Sequence, residues 1–246
     1  MLSSIVLDLS FIDKWENVSP QEIEATKTLK VGIGHIFENI PPEHILSIYL
    51  KGSFYQREMN EKSDVDVSVV VDEDKYLDNL YDLQKRLGNS KDLNFGFGGY
   101  SISELRTGRL STYGNTNRAN TGTLARMIPS YALIYGKALD TSELHLESNK
   151  QYLENYIEAF SKKFFPSYEA KEFDFGEMLK RALWLFELEC AVKNQKYVFT
   201  TWKNLASYFD KDHLVHEVLE LRKIVSIDDA TKGDFLRKLK SYLDKY

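Results

Sequence analysis

The segment from Lys51 to Val67, KGSFYQREMNEKSDVDV, narrows the possible folds more than any other stretch of this chain. A Gly-Ser pair closes one apolar run, Ile45 to Leu50, and two carboxylates, Asp64 and Asp66, open the next. Residues two apart on an extended strand point to the same face, so these carboxylates project together while Val65, Val67, Val69 and Val71 project to the other side. Two anions at a strand end repel each other unless a cation sits between them. Hard oxygen ligands suit Mg²⁺ held jointly with substrate phosphates. A solvated acidic strand edge is the alternative, and the Gly-Ser turn between two strand-like runs favours the metal site.

The pattern around this segment has two parts. Ser19-Pro20-Gln21-Glu22 has the form of a capped helix start, followed by Ile23, Leu29, Ile33, Ile36, Phe37 and Ile40, and Pro41-Pro42 stops the helix. Asp72-Glu73-Asp74 reads as an acidic helix start running through Leu87 to a stop at Gly88, and Asp92 to Phe97 as a third strand. The glycines in that strand imply either close approach to a ligand or a bulge. A Gly-, Thr- and Asn-rich stretch from Thr107 to Thr123 reads as a loop or short helices over the site, with Arg106, Arg109 and Arg118 available for phosphate or simply solvated. Pro129 to Gly136 reads as the last strand. From about residue 143 onward the periodicity is helical throughout, over Leu146 to Phe165, Phe175 to Lys196, Thr201 to Phe209, Leu214 to Ile224 and Asp229 to Leu243. A chain of 246 residues can hold two cores, and the change of pattern divides it at residues 1–142 and 143–246.

The Gly-Ser turn, a gap of about a dozen residues and a Ser-Asp-x-Asp strand resemble the signature of the polymerase-β-like nucleotidyltransferase superfamily. The resemblance implies an α+β protein: an N-terminal nucleotidyltransferase fold, a mixed β-sheet with flanking helices, followed by an all-α helical bundle. It implies Mg²⁺ on Asp64 and Asp66, and ATP as co-substrate bound at Gly52, Ser53 and Ser63. Relatives carry an Arg three residues after the Gly-Ser. Here that position is Gln56, and Arg57 is the basic residue available for the triphosphate. The layout is most similar to aminoglycoside nucleotidyltransferases of the kanamycin 4′ type. By that likeness Asp92, in Asp92-Leu93-Asn94-Phe95, is a third catalytic and metal-binding carboxylate, and Glu189-Cys190-Ala191-Val192-Lys193 supplies a general base, Glu189, and a phosphate contact, Lys193. Glu and Lys four apart on a helix also make an ordinary surface ion pair. The apolar surroundings of Glu189 imply partial burial and a raised pKa, as a base requires, with Glu187 the rival.

The expected function is transfer of AMP from ATP to a hydroxyl of a small cationic acceptor such as an aminoglycoside. The alternatives are a toxin–antitoxin-type nucleotidyltransferase modifying a partner protein or tRNA, and a non-catalytic nucleotide-binding module. A net charge of −5 suits a cationic small molecule and speaks against a broad nucleic-acid footprint. The single cysteine, Cys190, reads as a buried hydrophobe, and the five histidines as structural or surface residues. No apolar run approaches the ~20 residues needed to span a bilayer, and the first residues lack a basic leader pattern, so a cytoplasmic protein without a membrane partner is expected. A homodimer is compatible with this layout.

Overall fold

The computed structural model of the chain describes residues 6–60, 63–88, 93–114, 121–195 and 201–246. Asp92 and Arg118 lie outside the described residues. Helix α1, Pro20–Asn39, begins as its sequence prescribes. The Ser19 hydroxyl accepts from the Glu22 amide (3.2 Å), and the Glu22 carboxylate accepts from the Ser19 amide (2.7 Å). Ala25, Leu29, Ile33, Ile36 and Phe37 form its buried stripe. A 3₁₀ turn at Pro42–His44 leads into strand β1, Ile45–Lys51. A five-residue helix, α2 (Gly52–Gln56), separates β1 from β2, Val65–Val71. Helix α3, Tyr76–Gly88, crosses to β3, Phe95–Ser101. After α4 (Ile102–Thr107) and α5 (Thr121–Met127), β4 (Ala132–Gly136) completes the sheet.

The strand order is β3-β2-β1-β4, with β1 antiparallel to both β2 and β4 and β2 parallel to β3. A parallel pair needs a long crossover, which α3 supplies. On one face Ile48, Leu50, Val67, Val69, Phe95 and Phe97 pack with the buried stripes of α1 and α3. On the other, Tyr49, Val70 and Tyr100 pack with Leu105 of α4 and Leu124 and Ala125 of α5. Strand alternation decides which side chain enters which core.

The structure departs from expectation at three joints. Asp72, Glu73 and Asp74 do not start α3: the Asp72 amide extends the ladder to the His44 carbonyl, and Tyr76 closes a turn on Glu73. Strand β3 begins at Phe95, after Leu93 and Asn94, and runs on through its glycines, because seven parallel positions from Val65↔Phe95 to Val71↔Ser101 outweigh their low strand propensity. The last strand begins at Ala132. Before it, Ile128–Ser130 forms a 3₁₀ turn, closed by the Tyr131 amide on the Ile128 carbonyl.

The chain divides into two compact units, Met1–Leu146 and Glu147–Tyr246. In the second, α6 (Asn149–Ala159) passes through a π-helical turn, Phe160–Phe164, into α7 (Phe165–Glu169). Pro166 has no amide to offer the preceding turn, a common reason for a helix to rewind at such a point. Helix α8 (Phe175–Lys193) is buried around most of its circumference, including Leu179, Leu183, Phe186 and Leu188. Helices α9 (Trp202–Leu205), α10 (Leu214–Leu221) and α11 (Asp229–Leu243) share its core through Leu205, Val218 and Phe235. This is the α+β architecture anticipated from the sequence. Among the described residues no helix is long and apolar enough to cross a membrane.

Candidate active site

The two carboxylates stand where β2 begins. Asp64 is exposed and Asp66 half-buried, and the residues flanking Asp66 in the sheet are Lys51 on β1 and Gly96 on β3. Gly96 explains how both carboxylates fit. A Cβ at that position would lie 2.7 Å from Asp66 Oδ1 and 3.1 Å from Asp64 Oδ2, so any side chain there would displace them. Asp66 Oδ2 leans the other way, 3.1 Å from where a Gly52 Cβ would fall. Gly52 also has φ +76°, a left-handed conformation that turns β1 sharply into α2 and that a side chain would strain. Two anionic side chains therefore converge over a recess floored by one glycine and walled by another. That arrangement fits a divalent cation with a demand for hard oxygen ligands.

Ser53 lies half-buried in the first turn of α2, and Phe54 behind it is fully buried, fixing the short helix to the core. Ser63 is held in its loop, its hydroxyl accepting from the Asn60 amide (2.9 Å). Asn94 ties the entries of two strands together. Its side chain donates to the Ser63 carbonyl (2.7 Å), and its carbonyl accepts from the Val65 amide (3.0 Å).

Arg57 has a different setting from the one its sequence position suggested. It ends α2 in a left-handed conformation, φ +57°, and its guanidinium grips Glu22 through Nε (2.8 Å) and Nη2 (3.2 Å). The Glu16 and Asn17 carbonyls accept its remaining bonds, and the Trp15 ring lies 5.1 Å beneath it. Hydrogen bonding from Arg57, against the opposing effect of burial, holds the Glu22 carboxyl down to about 2.

Three further groups of this unit are engaged with partners of their own. Arg106 pairs with Glu143 (2.5 Å). The loop after α4 packs on the start of α3, where the Gly114 amide donates to Asp78 (2.6 Å), at the opposite end of β2 from Asp64. Gly114 is thereby held against Leu77 and Asp78 at the start of α3. His44, Asp72 and Glu73, whose potential ligand atoms all lie within 4.8 Å of one another, cluster at that same remote end, with His44 Nδ1 2.9 Å from Asp72.

In the second unit, Glu189 does not pair with Lys193. It accepts a hydrogen bond from the Tyr242 hydroxyl (2.5 Å) and lies 3.5 Å from His213 Nε2. Burial pushes its carboxyl up, but hydrogen bonds from His213 and Tyr242 outweigh burial and leave it below the ordinary carboxylate range, the reverse of the expected shift. Lys193 is exposed in the last turn of α8. Glu187 is buried and accepts from the Trp202 indole (2.8 Å).

No protein-family model matches the chain, and no curated protein does. Among solved structures, the chain resembles a spectinomycin adenyltransferase, AAD(9), from Enterococcus faecialis with ATP and spectinomycin. The TM-score is 0.55 at 13% identity, over 90% of this chain and 99% of that one. A toxin-antitoxin structure with AMP-PNP aligns at 19% identity over 56% of this chain and 98% of that one, with a TM-score of 0.32, too low to argue from. The first likeness spans both units: the chain has the nucleotidyltransferase fold and a helical unit following it.

Proposed function

We propose that this protein is a Mg²⁺-dependent nucleotidyltransferase that moves AMP from ATP to a hydroxyl of a small, cationic acceptor of the aminoglycoside kind. The observation that carries the reading is the convergence of Asp64 and Asp66 over Gly96, directly beside the Gly52-Ser53 turn. In the reaction the acceptor oxygen bonds to the α-phosphorus, the bond to pyrophosphate breaks, and the hydroxyl proton passes to a carboxylate or to solvent. Magnesium, when held by Asp64 and Asp66, would supply charge neutralisation at the transferring phosphate. Gly52 lets the backbone approach the phosphates, and the Ser53 and Ser63 hydroxyls are the nearby donors. The acceptor's proton requires a base, and Asp92 and Glu189 are the candidates. A net charge of −5 supports a cationic acceptor over a nucleic acid, and the nucleotidyltransferase fold supports ATP chemistry.

Labelled nucleotide triphosphates incubated with an aminoglycoside panel, then with lysate protein and with tRNA, test the reaction and its acceptor class. MgATP affinity measured by calorimetry on Asp64→Asn, Asp66→Asn and the double variant tests the site. The double variant is expected to lose Mg²⁺-dependent ATP binding. Unchanged MgATP affinity in that variant overturns the proposed site.

A further inference from the structure

We infer that Lys51, and not Arg57, is the cation of the first unit that meets the nucleotide's phosphates. The inference rests on the nucleotidyltransferase reading and names a binding residue within it.

The sheet register places Lys51 on the side of the carboxylates. Lys51 is the antiparallel partner of Asp66, and residues directly opposite each other on neighbouring strands share a face. The alternation along β1 agrees: Leu50 is fully buried in the core under α1 and α3, and Tyr49 in the core on the other face, so Lys51 returns to the Tyr49 side. Its backbone is extended, φ −142° and ψ −175°, and the next residue is the left-handed Gly52. It is therefore the last strand residue before the phosphate-approaching turn.

Charge supplies the second argument. Asp64 and Asp66 offset the charge of one divalent cation, and a lysine on the same face adds a positive charge toward a polyphosphate. Lys51 is half-buried, and among the described residues its ammonium forms neither an ion pair nor a hydrogen bond. A lysine ammonium is a mobile point charge on a long stem, suited to following phosphate oxygens.

Arg57 is already committed. Its fork is filled by Glu22, Glu16 and Asn17, and drawing it toward a phosphate would strand the Glu22 carboxylate, 6% exposed, without its cation. Arg57 is thus a positioning residue that clamps the end of α2 to the start of α1.

Calorimetric titration of Mg²⁺ alone and of Mg²⁺ with AMP, ADP or ATP onto the wild type, Lys51→Met, Lys51→Arg and Arg57→Met, with melting curves on each, separates these roles. Lys51→Met should weaken ATP binding by about tenfold or more, with the loss shrinking toward AMP. Its melting temperature should not change, and Mg²⁺ alone should bind as well or better, since a neighbouring positive charge is gone. Lys51→Arg should recover part of the ATP affinity. Arg57→Met should melt lower while its folded fraction keeps ATP affinity within about twofold. ATP affinity unchanged in Lys51→Met but lost in Arg57→Met overturns the assignment and leaves the nucleotidyltransferase reading standing. A wild type that binds no ATP in the presence of Mg²⁺ overturns both.

Discussion

Gly96 shows how one missing side chain can define a site. The sequence places it in a glycine-containing strand with two readings open, close approach to a ligand or a bulge, and the sheet shows regular pairing of Asp66 with Gly96. What approaches closely is the pair of carboxylates themselves. Gly96→Ala should therefore push Asp64 and Asp66 apart and weaken Mg²⁺-dependent ATP binding by about tenfold or more, some 1.4 kcal/mol, with only a small change in melting temperature. Calorimetry on a folded Gly96→Ala protein with wild-type affinity would show that the recess is not where the cation binds. Asp64, Asp66 and Gly52 were legible from the sequence because strand periodicity and a Gly-Ser turn are local signals. Lys51 and Gly96 were not, because their relation to Asp66 depends on strand register, and register is fixed by pairing between segments distant in sequence.

Among the elements, α1 and α11 matched their expected bounds, while the acidic run before α3 did not start its helix. Helix α1 has its capping box, and α11 runs from Asp229 to Leu243, as its pattern prescribes. Strand β3 did not, since its seven glycine-rich residues gain their order from β2. The surroundings of Glu189 were equally invisible. Tyr242 is 53 residues away, and together with His213, stacked on Phe209 at 4.0 Å, it ties α8, α10 and α11 around one carboxylate. The Val215 amide donates to His213 Nδ1 (3.1 Å), which leaves Nε2 to carry the proton toward Tyr242 at 2.7 Å. A carboxylate so engaged serves the bundle's stability, and its lowered folded pKa sets the sign of the pH effect. The contribution is present above the unfolded value of about 4.3 and is lost as pH falls through the folded one. Tyr242→Phe removes a donor and should cost about 1–2 kcal/mol at pH 7, with the gap to wild type narrowing toward acid in urea titrations. Glu189→Gln should destabilise similarly, and the double variant should cost less than the sum of the singles. A Glu189→Gln protein that melts like wild type but has lost its chemical step would instead make Glu189 the base.

At the scale of the whole molecule, the nucleotide-binding groups proposed here, Lys51, Gly52, Ser53, Ser63, Asp64 and Asp66, all belong to one compact unit, Met1–Leu146. That unit has apolar clusters on both faces of its sheet, whereas Glu147–Tyr246 builds a separate core around α8. A segment of this size with its own cores is large enough to fold alone. Residues 1–146 produced by themselves should give a cooperative thermal transition and bind MgATP, since every first-unit phosphate and metal contact is retained. The fragment lacks Glu189 and Lys193. If either takes part in transfer, turnover onto the acceptor should fall by roughly 10²–10⁴-fold, the scale of a missing general base, while ATP binding survives. Circular dichroism melts, calorimetry and a labelled-transfer assay on the fragment examine each claim separately. An unfolded fragment would show that the first unit depends on the second for stability. A fragment with full turnover would remove Glu189 and Lys193 from the chemistry and leave Asp92 as the remaining candidate base.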